Sequence, residues 1–472
     1  MRTRTLVAVA ALLLAIGVTT SSAYAATVAP SLRATGGDHG VTVSWTKAAS
    51  SGHILSGQTL RGRAKGTSTW TSRALAAGVT TYPWSNLNNG TTYEFQVVAR
   101  FSNGSTLASS IVAALPRTIW VKVDSGAGTC ALTSLGKVFC WGYGKIGLFS
   151  TIDVPDTATP RLVALPKAAT DVQAGYAYAC ALLVDATVSC WGSDDYGQLG
   201  RGVVSATRFA PGKVANLSGI TSISLGWDHA CASSNTASWC WGNNGLSAVG
   251  GTDLTVPTPR KVASTLDGPI ERTDAGVYNT CGLTSMGTPW CWGQGGTYLN
   301  GNLSPVTRSD PQAVFGLAEG VSVPSVGFTH VCTLAQFRLL CWGTASAGES
   351  GLTGVVAVQE FVRAADPTVP NFVSIDTGLQ FTCGISTSAA VWCFGDNGNG
   401  NLGTGDFVSG ANARRVLLPS TSSFRQISLG RDSACAIDSG GALYCWGYNV
   451  TKAVSAASTP SVAVPVPISR KV

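Results

Sequence analysis

From residue 118 onward the chain alternates apolar and polar positions in short bursts, each closed by glycine. "WVKVDSG" (120–126), "ITSISLG" (220–226) and "FRQISLG" (424–430) all carry this period of two. Such alternation places successive side chains on opposite faces of an extended strand, and the Gly-rich interruptions mark turns. After each burst comes a phrase bounded by two cysteines and closed by an aromatic residue and glycine, as in "CALTSLGKVFCWG" (130–142). A "TP-x-x-V"-like strand usually follows, for example "TPRLV" (159–163) and "TPRKV" (258–262). The first cysteines stand at Cys130, Cys180, Cys231, Cys281, Cys332, Cys383 and Cys435, with steps of 50, 51, 50, 51, 51 and 52 residues. A period of this length means a propeller or a solenoid, and three or four short strands per period make a propeller blade. The pattern therefore predicts an all-β fold, with seven blades over residues 118–472. The opening strand "WVKV" (120–123) and the closing stretch "SVAVPVPI" (461–468) are expected to share one blade, which would remove two sheet edges.

Residues 26–117 follow a different pattern and hold no cysteine. "TVSW" places Trp45 on a strand, Trp70 follows, and "LNNGTTYEFQVVA" turns Tyr93, Phe95, Val97 and Ala99 to one side. Leu87 and Tyr93 have the spacing of a tyrosine corner. Only Arg117 to Ile119 separate this unit from the repeats, so limited hinge freedom is expected. Ahead of both, residues 1–25 read as a secretory signal. Arg2 and Arg4 precede the apolar run Leu6–Val18, and "AYA" (23–25) offers small residues for cleavage. The alternative, a membrane anchor, needs a run of about 20 apolar residues, which this segment does not reach.

Export changes the meaning of the cysteines. All 14 fall in the seven pairs. In an oxidising compartment they read as a disulfide framework. Zinc is a poor alternative, because no C-x-x-C and no clustered His is present. If the two cysteines of a repeat face each other across an antiparallel hairpin, their Cα atoms lie about 4.5 Å apart, within disulfide reach. The expected bonds are Cys130–Cys140, Cys180–Cys190, Cys231–Cys240, Cys281–Cys291, Cys332–Cys341, Cys383–Cys393 and Cys435–Cys445. The aromatic residue after each second cysteine (Trp141, Trp191, Trp241, Trp292, Trp342, Phe394, Trp446) is expected to pack between neighbouring blades, with its glycine allowing close backbone approach.

Two resemblances follow from these residues. "VQAGYAYACALLVDATVSCWGSDDYGQLGRG" (172–202) resembles the regulator-of-chromosome-condensation repeat. His229 and His330 occupy its His position, and Gly197–Gly200 and Gly400–Gly403 match its G-x-L-G loop. The likeness recurs over residues 118–472 and implies a seven-bladed β-propeller. The chain departs from the pattern by its cysteine pairs and by losing G-x-L-G in most repeats. In fold it is similar to secreted propellers of the β-lactamase inhibitory type. Residues 26–117 resemble a fibronectin type III sandwich.

Charge divides unevenly. Residues 26–117 hold eight Lys/Arg against two Asp/Glu, whereas 118–472 hold 21 against 22. Arg61, Arg63 and Lys65 concentrate the basicity, read either as contact with an anionic wall polymer or as a solvated strand face. No long basic stripe points to nucleic acid.

No catalytic constellation is visible: G-x-S-x-G, H-E-x-x-H and a P-loop are absent. "SLGK" (134–137) matches S-x-x-K but occupies a hairpin turn, and "DNGNGNLGTGD" (396–406) lacks the oxygen register and closing Glu of a Ca²⁺ loop. The loop before each first cysteine varies most, reading "GAGT", "GYAYA", "GWDHA", "GVYNT", "GFTHV", "GLQFT" and "GRDSA". Equivalent propeller loops ring one face. That face is expected to gather Tyr176, Tyr178, Trp227, Asp228, His229, Tyr278, Asn279, Phe328, His330, Phe381, Arg431 and Asp432. Aromatics with a few charges suit a protein interface; the competing reading packs them into the central channel.

The sequence thus predicts a secreted, non-enzymatic, monomeric binding protein. Its partner would be an extracellular protein or a cell-wall glycan, without cofactor, metal, nucleic acid or membrane span. Alternatives are a polysaccharide-binding or polysaccharide-degrading accessory protein and, by analogy with the repeat's name, a guanine-nucleotide exchange factor.

Overall fold

A computed structural model describes residues 27–468, apart from 145–150, 153, 264, 266, 297, 303, 318–319, 345, 352–356, 364–370 and 420–421; the side chains of 344 and 357–363 are likewise outside the description. The proposed signal segment, 1–25, lies outside it. The chain divides into two compact units at Arg117/Thr118. Among the described residues all regular structure is β-strand, and no helix is long and apolar enough to cross a membrane.

The first unit is a two-sheet sandwich. Leu32–Gly37, Gly40–Trp45 and Thr81–Ser85 form one sheet. Leu55–Ala64, Thr71–Leu75, Tyr93–Phe101, Thr106–Ala108 and Val112–Ala114 form the other. Alternation along the strands delivers Val41, Val43, Leu60, Phe95 and Val97 to a shared core, where Trp84 meets Phe95 edge-on with centroids 5.6 Å apart. The Asn88 N–H donates to the Tyr93 hydroxyl at 3.2 Å, closing the corner that the Leu87/Tyr93 spacing predicts. Arg61 and Arg63 both lie over the Trp70 ring, at 4.7 and 4.4 Å. Arg61 also bonds Gln96 and Arg63 bonds Glu94, so both guanidinium groups are engaged within the sheet face.

The second unit contains seven four-stranded antiparallel sheets among its described residues, each built from consecutive strands. Their first strands are Trp120–Ser125, Ala169–Ala174, Ser222–Leu225, Ile270–Ala275, Ser325–Val326, Phe372–Thr377 and Phe424–Leu429. Each packs on the next, and the last packs back on the first, so these strands enclose a channel. Closure differs from the expected shared blade. Trp120–Ser125 is the inner strand of the first sheet, and Ser461–Ile468 is the outer strand of the last. The ring closes through bonds between these two sheets: the Trp120 N–H donates to the Gly441 carbonyl at 3.0 Å, Gln426 accepts from the Val123 N–H at 3.0 Å, and the Ser428 hydroxyl accepts from the Ser125 N–H at 3.1 Å. The final repeat carries a complete set of four strands and has no vacancy for the opening one.

The cysteines pair as their spacing predicts. Cys130 faces Cys140 directly in the ladder, and the seven bonds span 4.0–4.1 Å between Cα atoms. Ser134–Lys137 is the turn between the bonded strands of the first sheet. The aromatic-Gly step that follows is a β-bulge: the register to the outer strand shifts there in each sheet. The extra residue needs a left-handed glycine, and Gly242 has φ 108°. The preceding aromatic is buried between sheets, and the Trp241 indole donates to the Gln198 carbonyl of the previous repeat at 2.9 Å.

Candidate functional site

Each inner strand runs into a glycine: Gly126, Gly175, Gly226, Gly276, Gly327, Gly378 and Gly430. A Cβ on Gly226 would overlap the Gly276 carbonyl oxygen, so the strand ends converge on the axis only because glycine stands there. The three residues after this glycine enter three different environments, and that difference sorts the candidate residues.

The first residue after the glycine faces the channel mouth. Ala127, Tyr176, Trp227, Val277, Phe328, Leu379 and Arg431, one per repeat, line a cavity of about 130 Å³ there. Tyr176 packs edge-on against Trp227 (5.1 Å, 87°), and Trp227 packs edge-on against Phe328 (5.6 Å, 81°). Tyr278 joins them at 6.3 Å from Trp227 and 6.2 Å from Phe328. Four consecutive repeats thus contribute one aromatic arc, while the rest of the mouth is Ala127, Val277, Leu379 and the exposed Arg431.

The second residue stands on the rim. Asp228, Tyr278 and Asp432 occupy this position and are half-buried. Burial, with the nearby Asp195, pushes the Asp228 carboxyl up to about 6. Asp432 is also raised by burial, against the pull of Arg431, whose Nε lies 3.2 Å away.

The third residue opens the next strand and points between sheets. Tyr178, His229, Asn279, His330 and Phe381 are all buried there, which removes them from the expected binding face. The Tyr178 hydroxyl donates to the His229 carbonyl. His229 Nε2 meets the Thr280 hydroxyl at 2.9 Å, and Thr280 donates onward to the Ala248 carbonyl at 2.7 Å. His330, Thr382 and the Glu349 carbonyl repeat this relay at 2.7 and 2.7 Å. A hydroxyl that donates its own proton onward must accept from the ring, which places the proton on Nε2 in both histidines. Burial lowers His229 to about 4 and His330 to about 3, so both imidazoles are neutral framework groups. Asn279 does not copy them, because the equivalent position of the next repeat is Val331, which has no hydroxyl, and the Asn279 amide has no partner.

Of the twelve candidates, the structure brings Tyr176, Trp227, Tyr278 and Phe328 together, with Asp228, Arg431 and Asp432 around the same mouth. Reading the sequence by loop rather than by position missed Ala127, Val277 and Leu379; counting one residue on from each glycine would have found them. It also missed a ring of polar side chains two residues before each glycine: Asp124, Gln173, Ser224, Asp274, Ser325, Asp376 and Ser428. Asp274 accepts from the Ser224 hydroxyl at 3.1 Å and from the Val326 N–H at 2.7 Å. Asp376 does the same with Ser325 (3.0 Å) and the Leu429 N–H (2.7 Å). Asp124 does so with Ser428 (3.2 Å) and the Ala174 N–H (2.7 Å). Burial, together with mutual repulsion across the channel, raises Asp124 and Asp376 to about 7 and Asp274 to about 6. The described residues contain no group of three His, Cys, Asp or Glu arranged to hold a metal ion.

The family model of the regulator of chromosome condensation (RCC1) repeat matches residues 185–233. A second RCC1-repeat model matches 169–198, 372–401 and 424–450. Among curated proteins the chain is similar to the Ultraviolet-B receptor UVR8 of Arabidopsis thaliana, 29% identical over 307 residues, covering 62% of this chain and 68% of the receptor. It is 26% identical over 309 residues to the human E3 ubiquitin-protein ligase HERC2, covering 61% of this chain but 6% of the ligase. Human WBSCR16 superposes with a TM-score of 0.63 at 18% identity, covering 71% of this chain and 94% of that one. Yeast RCC1 (Prp20), solved with Kap60, gives 0.60 at 23% identity, covering 70% and 83%. At such identities the solved structures carry the fold alone. Together these matches support an RCC1-repeat β-propeller for the second unit.

Proposed function

We propose that this RCC1-repeat propeller is the binding element of an exported, non-enzymatic, monomeric protein, and that it grips a protein or cell-surface partner with the face around its channel mouth. The reading takes the ring as seven-bladed, the first unit as a fibronectin type III module that spaces or anchors it, and residues 1–25 as the export signal. The observation that carries it is the arc Tyr176–Trp227–Tyr278–Phe328, half-exposed aromatics held by four consecutive sheets around an open cavity. Aromatic clusters ringed by polar groups are where interface energy concentrates. The disulfide-closed hairpins behind the arc keep the face preformed, which lowers the ordering cost of binding. Curated relatives named as a photoreceptor and a ubiquitin ligase agree with a regulatory or protein-binding use of the repeat. The exchange-factor reading draws on likeness at the level of fold, which does not transfer a partner.

The test is capture from the native extracellular fluid by the immobilised full chain, compared with the triple variant Tyr176→Ala, Trp227→Ala, Phe328→Ala. The expected result is loss of the captured species with unchanged thermal unfolding. Equal capture by both proteins overturns the proposed face. A second reading, glycan processing, draws on Asp228, whose carboxyl is raised to about 6 by burial beside Asp195. Release of reducing sugar by the wild type that Asp228→Asn abolishes would establish that reading instead.

A further inference from the structure

The strands that carry the aromatic mouth also carry acid. Trp227, Tyr176 and Phe328 line the cavity, and three residues earlier in each repeat, on the inner strands, stands the ring that holds Asp124, Asp274 and Asp376. These residues are partly buried, and each adjoins in sequence a residue that lines the cavity: Ser125, Ala275 and Thr377. Lys122 is the cation in their midst, and Asp171 holds it at 2.7 Å. At the mouth, Arg431 is drawn to the neighbouring Asp432. The axis therefore offers a negative potential focused by low-dielectric walls and rimmed with π-faces.

We propose that the partner is a protein that inserts a basic side chain, lysine or arginine, into the channel mouth, its stem against Trp227 and Phe328 and its charge facing Asp124, Asp274 and Asp376. This rests on the face identified above as the docking surface and names the chemistry that fills it. A cavity of about 130 Å³ admits one such side chain and excludes a folded element. The aromatic walls suit a methylene stem, and a planar guanidinium or an ammonium gains from ring faces that exclude water. Each carboxylate keeps its structural hydrogen bonds while lending its charge to the field, so insertion displaces nothing in the ring. Because the carboxyls are raised, entry of a cation favours their ionised form and expels protons.

The probes are three blocked pentapeptides, Gly-Gly-X-Gly-Gly, with X arginine, lysine or norleucine, titrated by calorimetry against the full chain. The expected result is that one cationic peptide binds at least about tenfold more tightly than norleucine. That peptide binds more tightly at pH 8 than at pH 5.5, with proton release seen as a heat that depends on the buffer. Trp227→Ala and, independently, the rim variant Asp228→Asn weaken it without altering the unfolding temperature. Equal binding of all three peptides, no binding by any, or absence of proton release overturns the inference. Loss of partner capture in the triple variant, combined with equal peptide affinities, leaves the docking face standing and removes the cation alone.

Discussion

The Thr382 hydroxyl donates to the Glu349 carbonyl at 2.7 Å, in the one repeat of seven where phenylalanine replaces the tryptophan after the second cysteine. In most repeats the carbonyl of the preceding loop is met by an indole: Trp141 donates to Ala453, Trp241 to Gln198, Trp342 to Leu299 and Trp446 to Asn401, at 2.8–2.9 Å. In the sixth repeat Thr382 donates to that carbonyl and Phe394 stands in place of the indole, whereas in the first repeat Thr129, at 3.4 Å, shares the Ala453 carbonyl with Trp141. The fourth repeat holds the untidy combination. Thr280 takes the Ala248 carbonyl, yet Trp292 remains and its Nε1 is buried without a partner.

Trp292→Phe should therefore be far better tolerated than Trp342→Phe. Both lose the same ring volume, but only the second orphans a buried carbonyl, so it should be the less stable by about 1–3 kcal/mol. Denaturant midpoints of the two variants give the comparison. Equal losses would show that the indole bonds contribute nothing beyond packing.

A second substitution follows from comparing loops two residues beyond the Trp-Gly step. Asn244, Asn397 and Asn449 each accept a loop N–H with Oδ1 and donate from Nδ2 to loop carbonyls or hydroxyls. Asp194 holds the equivalent place, accepts from the Leu199 N–H at 2.9 Å, and leaves Oδ2 buried without a donor. Burial raises its carboxyl from 3.8 to about 6. A group raised on folding takes up a proton, so its contribution is complete below the unfolded value and is lost as pH climbs through the folded one. Asp194→Asn should stabilise the protein by about 1–2 kcal/mol at neutral pH and flatten the decline in stability between pH 4 and 6. Unfolding temperatures of both proteins across that window decide it, and a variant with an unchanged pH profile would remove Asp194 as the source.

Such positions mark the limit of what the residues alone made legible. The repeat and its disulfides were readable because a cysteine at every period fixes the register of a hairpin, and Cys130 does face Cys140. The same regularity misled at closure, because a strand-like tail suggests sharing unless the four strands of the last repeat are counted. At the site, aromatic and charged types drew attention to whole loops. The glycine's position decides exposure, so Trp227 reaches the mouth, whereas His229, two residues further on, enters a sheet interface. The carboxylates of the channel gave no signal, since an Asp in an alternating strand looks like any outward polar residue.

The disulfides should resist reduction in the native state. The paired cysteines are buried, so thiolate attack requires unfolding. Dithiothreitol without denaturant should leave every bond intact by mass mapping, and denaturant should open them together. Each bond closes a loop of 9 or 10 residues. In the chain-entropy model that is worth about 2.7 kcal/mol as an upper figure, because a hairpin is partly preformed. Removing the fourth pair by Cys281→Ala and Cys291→Ala should lower unfolding stability by up to this amount. A larger loss would mean that the bond holds native packing beyond its own hairpin.

The polar ring inside the channel sets the last expectation, through parity. Around the axis Asp and Ser alternate, and each Ser hydroxyl both donates to an Asp and accepts a backbone N–H from the next strand. Ser224 accepts from Ala275 at 2.7 Å and Ser325 from Thr377 at 3.1 Å. Seven positions cannot alternate without one fault, and the fault falls between Asp124 and Ser224, where Gln173 stands. With its amide turned to satisfy both neighbours, Gln173 donates to Asp124 at 3.2 Å and accepts from Lys122 at 3.1 Å, so it bridges side chains that have other partners. Ser224→Ala would strip the Ala275 N–H of its acceptor inside the ring and should cost about 1–3 kcal/mol. Gln173→Ala leaves the Ala174 N–H on Asp124 and should cost less than about 1 kcal/mol. Equilibrium unfolding of the two variants separates them: if Gln173→Ala proves the more damaging, the ring is held by its amide and not by the serine–aspartate latch.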